Sequence, residues 1–449
     1  MEDRHISDEL KRYGYVFSLK KNVILYIMAS LISFLMGRIF RLNMVCQIIL
    51  IIAVIIMLPF FIRNSLINRD NQQRFSDLNI YMEQFLYSFQ KTGKIITTLN
   101  DVLILFEDGT MKDTIKKAAD HIENTYNESD VEKNGLRIIE REYPCSGLKN
   151  IHSFALEVEK NGGEYQESTL LLLESRRLWA DRNYKLLNEK KHQRTRIILS
   201  ILITLLLCTM IYFLSYRMKI DVAANPLSQG VTLFVLISDL FIFYISDKKM
   251  SADDAIRDES DQKGIKDAEE RIEKYDEKKL FQRIAKKSAI KRVTRQLEID
   301  FPKWLMQVSL LLQTENVPVA VIKSYSDAPA SLKFPLKKFI YDLKKDPSGI
   351  RPYISFLKEY TLPEVRSSMK MLYSLSEGAG GKASSQIPEI IRRNQTMMER
   401  AAELKNENAL AGMYALFLAP QITGGIKLTV DMLLLFVVYM VKMGNSVKM

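Results

Sequence analysis

The chain has 449 residues, 47% of them hydrophobic and 26% charged, and its formal net charge is +11. That length exceeds one core and suits two or three domains, with the apolar residues clustered as in a membrane protein that has large aqueous parts. The basic excess crowds the ends of apolar segments at Lys20, Lys21, Arg63, Arg69, Arg74, Lys190, Lys191, Arg194, Arg196, Lys248 and Lys249, a positive-inside distribution with no nucleic-acid-reading motif beside it.

In chain order, residues 1–22 are a predicted cytoplasmic segment, and the lack of a small-residue cleavage site argues against a removable signal peptide. Residues 23–62 form the first transmembrane hairpin. Val23 to Met36 is a short apolar run extendable to Phe40, and Met44 to Ile62 is a run of 19 residues, roughly 28 Å at ~1.5 Å per residue. The hairpin turns at Arg41-Leu42-Asn43. Residues 63–196 are a first cytoplasmic helical bundle. Residues 197–245 are a second hairpin, made of Ile197 to Leu214 and Val231 to Ile245 around Asn225-Pro226. Residues 246–271 are a charged linker, expected as a solvated helix. Residues 272–408 are a second bundle, and 409–441 a third hairpin. In that hairpin Ala409 to Ile422 and Leu428 to Val441 flank a flexible turn at Thr423-Gly424-Gly425. Residues 442–449 are a tail. This gives six spans, with both termini and both bundles cytoplasmic. Two acids fall within spans, Asp239 and Asp431; the simpler reading is that each faces a neighbouring helix, with Lys427 one turn from Asp431.

The two aqueous blocks share a pattern. Phe75, Leu78, Met82, Phe85 and Phe89 open the first, and Leu297, Phe301, Leu305, Val308 and Leu312 open the second. Shifted by 223 positions, Leu78, Met82, Phe85 and Phe89 fall on Phe301, Leu305, Val308 and Leu312. Steps of three and four residues make one buried helix face. Gly93 falls on Asn316 at the same shift, and both residue types take the left-handed turn that ends a helix. Arg176-Arg177 matches Arg392-Arg393 at a shift of 216. Neither block alternates with period two, so the predicted fold class is all-α, a multi-span membrane protein with two tandem helical bundles.

No constellation in the sequence carries chemistry. Three cysteines (Cys46, Cys145, Cys208) and four histidines scattered along the sequence (His5, His121, His152, His192) give neither a disulfide framework nor a metal-ligand spacing. Gly378-Ala379-Gly380-Gly381-Lys382 lacks the spacing of a phosphate loop and is expected as a loop between helices. Glu157 and Glu159, two apart, point to different faces of a helix and are expected on a solvated surface. No carboxylate pair has a His, Cys or Lys partner at a recognisable spacing, so no catalytic, cofactor or metal residue is assigned. Arg176, Arg177, Arg392 and Arg393 have two readings: a solvated face or internal ion pair, or a docking surface for an acidic partner. Trp179 and Trp304 are expected as core or interface anchors.

The second block, through Phe301-Pro302-Lys303-Trp304-Leu305, Glu315-Asn316-Val317-Pro318-Val319-Ala320, Ser376-Glu377-Gly378 and the helix into Ala409-Leu410-Ala411, resembles the type II secretion F domain. This is the repeated cytoplasmic bundle of the inner-membrane platform proteins of type II secretion systems, type IV pili and tight-adherence (Tad/Flp) pili. Phe75 to Gly93 with the Asn161-Gly162-Gly163 turn looks like a degenerate first copy, and the resemblance covers about two thirds of the chain. The sequence departs from the family at Asn316, where a glycine is usual, and at Ser376-Glu377-Gly378, where a Gly-Glu pair is usual. The resemblance implies a non-enzymatic, multi-pass platform in the cytoplasmic membrane, acting as a homo-oligomer or with related platform subunits. It implies a cytosolic assembly ATPase and pilin-like subunits as partners, no cofactor and no nucleic acid, and it puts Glu377 at a partner contact or a helix-packing position. The alternatives are a membrane-anchored signalling protein and a transporter. The first needs a phosphoacceptor histidine on a dimerisation helix, and the second needs broken helices in corresponding halves.

Overall fold

The computed structural model describes residues 19–125, 130–162, 165–218, 220–250, 262–274, 280–312, 315–377 and 383–446. Among these the chain is all-helical, without a strand. The helices are α1 (Leu19–Ile39), α2 (Met44–Thr92), α3 (Ile95–Leu103), α4 (Thr110–Asn124), α5 (Val131–Glu142), α6 (Ser146–Asn161), α7 (Gln166–Arg217) and α8 (Pro226–Met250), then α9 (Gln262–Lys274), α10 (Leu280–Leu311), α11 (Val317–Ser324), α12 (Ala330–Lys345), α13 (Arg351–Ser355), α14 (Pro363–Glu377) and α15 (Ala383–Ser446). The chain divides into two units: Met1–Gln73 with Lys185–Asp253 and Asn408–Met449, and Arg74–Tyr184 with Asp254–Glu407. Helices α2, α7 and α15 contribute residues to both. Residues 378–382, expected as a loop, Gly163, most of the N-terminal segment and linker residues 251–261 lie outside the described residues.

Among the described residues, four helices are long and apolar enough to cross a membrane: α2, α7, α8 and the Leu410–Met443 part of α15. The shorter apolar stretch Val23–Ile39 of α1 joins them. Their outward side chains, among them Ile27, Ile48, Leu206 and Phe436, are exposed, apolar surface of the kind that lipid covers. Between α1 and α2 the chain turns where Arg41 takes φ 51, and the Leu42 N–H returns to the Gly37 carbonyl at 2.9 Å, closing the helix end. Asn43 then caps α2 by accepting from the Cys46 N–H at 2.8 Å. Gln229 of α8 braces the turn, accepting from the Asn43 N–H and donating to the Arg41 carbonyl, each at 2.9 Å.

The predicted third hairpin is a single helix. Thr423-Gly424-Gly425 lies inside α15, and Thr423 returns its hydroxyl to the Ala419 and Pro420 carbonyls as a helical threonine does. The glycine there gives room instead of a turn. A Cβ on Gly424 would collide with the Thr204 side chain of α7 and meet the Cys208 Sγ at 3.8 Å, so the missing side chain is what lets two membrane helices approach. One helix there gives a single apolar stretch, Leu410–Met443, in place of the expected two.

In the second unit the two expected faces are buried. Phe75, Leu78, Met82, Phe85 and Phe89 of α2 are shut in, as are Leu297, Phe301, Leu305 and Val308 of α10. Leu312 packs at the edge of the second core. Gly93 takes φ 63 and ends α2, with its N–H on the Phe89 carbonyl at 2.8 Å. Asn316 departs from its expected role. Its φ is −76, and it caps α11 by accepting from the Val319 N–H at 3.1 Å. The linker expectation is also corrected. Ile265, Ala268 and Ile272 make a narrow stripe along α9; the first two are buried, and Ala268 and Ile272 join the second core, so three well-spaced apolar residues dock a helix otherwise dense in charge.

The two blocks pack into the one unit, with α6 against α10. Each is a run of six helices. After the amphipathic end of α2 come α3 to α6, of 9, 15, 12 and 16 residues, before α7. After α10 come α11 to α14, of 8, 16, 5 and 15 residues, before α15.

Candidate partner-contact residues and the polar groups of the membrane helices

Adjacent residues on a helix point about 100° apart, so only one arginine of each pair can face inward. In the first pair it is Arg176, whose guanidinium donates to Asn79 Oδ1 at 2.8 Å and to Glu83 Oε1 at 2.9 Å, clamping α7 to α2. Arg177 is exposed and pairs with Glu174 on its own helix at 2.9 Å. In the second pair Arg393 turns inward, toward Glu364 of α14 at 3.9 Å and Met371 Sδ at 3.7 Å. Arg392 is exposed, 3.9 Å from Glu389. The inward members are therefore 217 residues apart, one more than the shift that aligns the pairs in sequence. Glu377, at the end of α14, accepts a hydrogen bond from the Tyr373 hydroxyl one turn back. The residues brought to the solvent surface are thus Arg177, Arg392 and Glu377.

The remaining expectations divide by how far away a residue's partner lies. Trp304 is fully buried and donates to Ser324 Oγ at 2.9 Å, and Trp179 lies half-buried against Phe75. Glu157 and Glu159 do reach different neighbours, but neither lies on a purely solvated face. Glu159 caps α3 by accepting from the Ile95 N–H at 3.2 Å, and burial raises its carboxyl above the ordinary value against the lowering effect of that hydrogen bond. Glu157 meets Lys323 at 3.2 Å. His152 has partners after all: it sits buried between the Tyr81 hydroxyl and Glu140 Oε1, each at 3.0 Å. These three lie on α2, α5 and α6, and no spacing in the sequence marks them as neighbours.

Among the membrane helices, Asp431 and Lys427 form the ion pair expected one turn apart, at 2.5 Å and fully buried. Ser228 of α8 donates to the other Asp431 oxygen at 2.7 Å, and Lys427 also donates to the Tyr212 hydroxyl of α7 at 2.9 Å. Tyr212 continues to Thr232 at 3.1 Å. Three helices thus share one polar cluster in which each charged group is met, the condition under which buried charge is tolerated in an apolar medium. Asp239 is different. It is buried on α8, and among the described residues neither of its oxygens has a hydrogen-bond partner. Its neighbours are the apolar walls of a cavity of about 360 Å³.

Comparison of the chain with family models, with curated proteins and with solved structures returns no match.

Proposed function

We propose that this chain is a non-enzymatic platform of a pilus-assembly or type II-like secretion machine in a cytoplasmic membrane. In this reading it couples a cytosolic assembly ATPase to the extraction and polymerisation of pilin-like subunits. The observation that carries the reading is the recurrence of one helix order, a long helix, four shorter ones and a long helix, in two blocks that begin alike at Leu78–Phe89 and Phe301–Leu312. A module repeated in this way and joined to apolar helices is the arrangement implied by the F-domain resemblance. ATP hydrolysis would belong to the partner, and this chain would transmit its motion. Helices α2, α7 and α15 each contain both apolar and aqueous residues, and in this reading they would carry a displacement of the helical blocks.

In this reading the blocks face the cytosol, where the basic flanks at Arg63, Lys190, Lys191, Lys248 and Lys249 stand by the positive-inside rule. Arg177 and Arg392 are the exposed guanidiniums offered to an acidic partner surface, with Glu377 beside the second block's last turn. The test is co-purification from membranes that contain an assembly ATPase encoded beside this chain. Intact protein retains the ATPase, and deletion of 95–161 or 317–377 releases it. Substitutions Arg177→Glu and Arg392→Glu weaken retention without loss of the folded protein. Retention that is indifferent to both deletions, or reporter fusions that locate either block outside the cell, removes the reading.

A further inference from the structure

Asp239 lies thirteen residues from Pro226 and eleven from Met250, near the middle of α8. Its exposure is 5%. The other buried acids of these helices are met, Asp431 by a lysine and a serine and Asp247 by Arg194 at 2.8 Å, so the fold supplies partners where an acid serves packing. Asp239 instead borders the 360 Å³ cavity, whose other walls come from α1, α2, α7 and α8 and include Ile32, Val54, Leu202, Leu236 and Leu240. That volume is within the range of pockets that take a ligand group, roughly 300–1,000 Å³. The one other polar side chain on its wall is Ser33, whose hydroxyl is donated to the Ala29 carbonyl at 2.8 Å. Ile32 and Leu202 are exposed, so the cavity adjoins the outward, lipid-facing surface. Walls of this kind give a water too few polar partners to hold it. They suit an apolar stem that carries one cationic donor.

We propose that this cavity receives a basic side chain borne near mid-span by the transmembrane helix of a partner protein, whose ammonium pairs with Asp239 while its stem lies along Leu202, Leu236 and Leu240. Depth selects this occupant. At ~1.5 Å per residue Asp239 lies about 9–12 Å inside either end of the apolar run Val231 to Ile245, below the headgroup level at which a lipid amine is held. A lysine on a membrane helix is fixed at that depth and finds its stabilisation in an acid on a neighbouring helix. A second copy of this chain does not fit the role, because its intramembrane lysine, Lys427, is already bound by Asp431 and Tyr212. The inference requires these helices to lie in a bilayer and draws nothing from the platform reading, so failure of the ATPase experiment leaves it standing.

The experiment uses the full chain in nanodiscs of phosphatidylcholine and a fluorescent leucine-alanine peptide of about 20 residues with a single central lysine. The control peptide has leucine at that position. Energy transfer between labelled protein and peptide reads association. The lysine peptide should bind wild type at least about tenfold more tightly than the leucine peptide. Asp239→Asn should abolish that preference, Asp239→Glu should retain part of it, and Leu202→Trp, which fills the cavity, should lower lysine-peptide binding, all with unchanged helicity by circular dichroism. Equal binding of the two peptides to wild type, or a lysine preference that survives Asp239→Asn, overturns the proposal.

Discussion

Lys323 of α11 stands 3.2 Å from Glu157 of α6, and this ion pair joins two helical blocks whose paired residues are 166 positions apart in sequence. The same ammonium lies 2.6 Å from Glu315. The hydrogen bond it donates to Glu315, then that to Glu157, hold the Lys323 pKa above the ordinary lysine value against the lowering effect of its partial desolvation. A cation whose pKa is raised on folding contributes stability that is fully present below the ordinary value and is lost as pH rises through the folded one. Lys323→Met should therefore destabilise the protein at neutral pH by roughly 0.5–1 kcal/mol, the scale of partly exposed pairs. The loss should shrink at about 1 M salt, where screening acts within ~3 Å. Thermal unfolding at low and high salt measures it, and a salt-independent loss would point to packing of the lysine stem.

Glu159 gives a pH signature of the same sign in a lower pH range. Its carboxyl is raised above the ordinary value, chiefly by burial, so the folded state holds its proton in a pH range where the unfolded chain has released it. Stability from this group is present below the unfolded value and falls as pH climbs through the folded one. Glu159→Gln keeps an oxygen for the Ile95 N–H and removes the charge. The variant should equal or exceed wild-type stability at neutral pH and lose part of the decline expected as pH rises above the ordinary carboxyl value. Melting temperatures of both proteins across that range are the measurement, and parallel profiles would contradict the assignment.

How much of this was legible in the sequence depended on whether a residue's partner is local. The faces from Phe75 to Phe89 and from Leu297 to Val308 follow from helical periodicity, and Lys427 with Asp431 follows from one turn of spacing. Pairings made across the fold left no such trace. Nothing in the order of residues says that Tyr81, His152 and Glu140 meet, or that Arg176 faces inward while its counterpart at the aligned shift, Arg392, faces out. Glycine misled for a physical reason: its conformational freedom and its lack of bulk are both written as the same letter. At Gly93 the first property is used, and at Gly424 the second. The candidate contact residues were visible as charge, whereas the cavity at Asp239 required four helices to be brought together before it existed.

The two neighbouring glycines of α15 make that distinction measurable. A methyl group at Gly424 meets Thr204, whose β-branched side chain has little rotamer freedom, so Gly424→Ala should cost about 1–3 kcal/mol by overpacking. At Gly425 the added methyl meets nothing within 4 Å. Gly425→Ala should therefore be neutral, or stabilising by up to about 1 kcal/mol through helix propensity. Unfolding in a mild detergent compares them. Two equally harmless substitutions would mean that α7 and α15 do not approach at this point.

The Lys427–Asp431 pair calls for a double-mutant cycle. Both side chains are fully buried, and Asp431 also holds Ser228 while Lys427 holds Tyr212. Removing one member leaves an uncompensated charge in an apolar surrounding, so Lys427→Met or Asp431→Leu alone should each cost about 3–5 kcal/mol. The double variant leaves no charge behind and should be more stable than either single one; the coupling between the two positions is its loss minus the sum of the two single losses. Tyr212→Phe removes one of the lysine's acceptors and should cost about 1 kcal/mol. Reversible unfolding in bicelles supplies all four corners. If the losses simply add, with the double variant as unstable as the sum of the singles, the two groups act independently and the polar cluster is no unit. If the double variant recovers, the cluster is a neutral brace, its charges cancelling within one turn of α15 and its hydroxyl partners fixing the register of α7 and α8 against that helix.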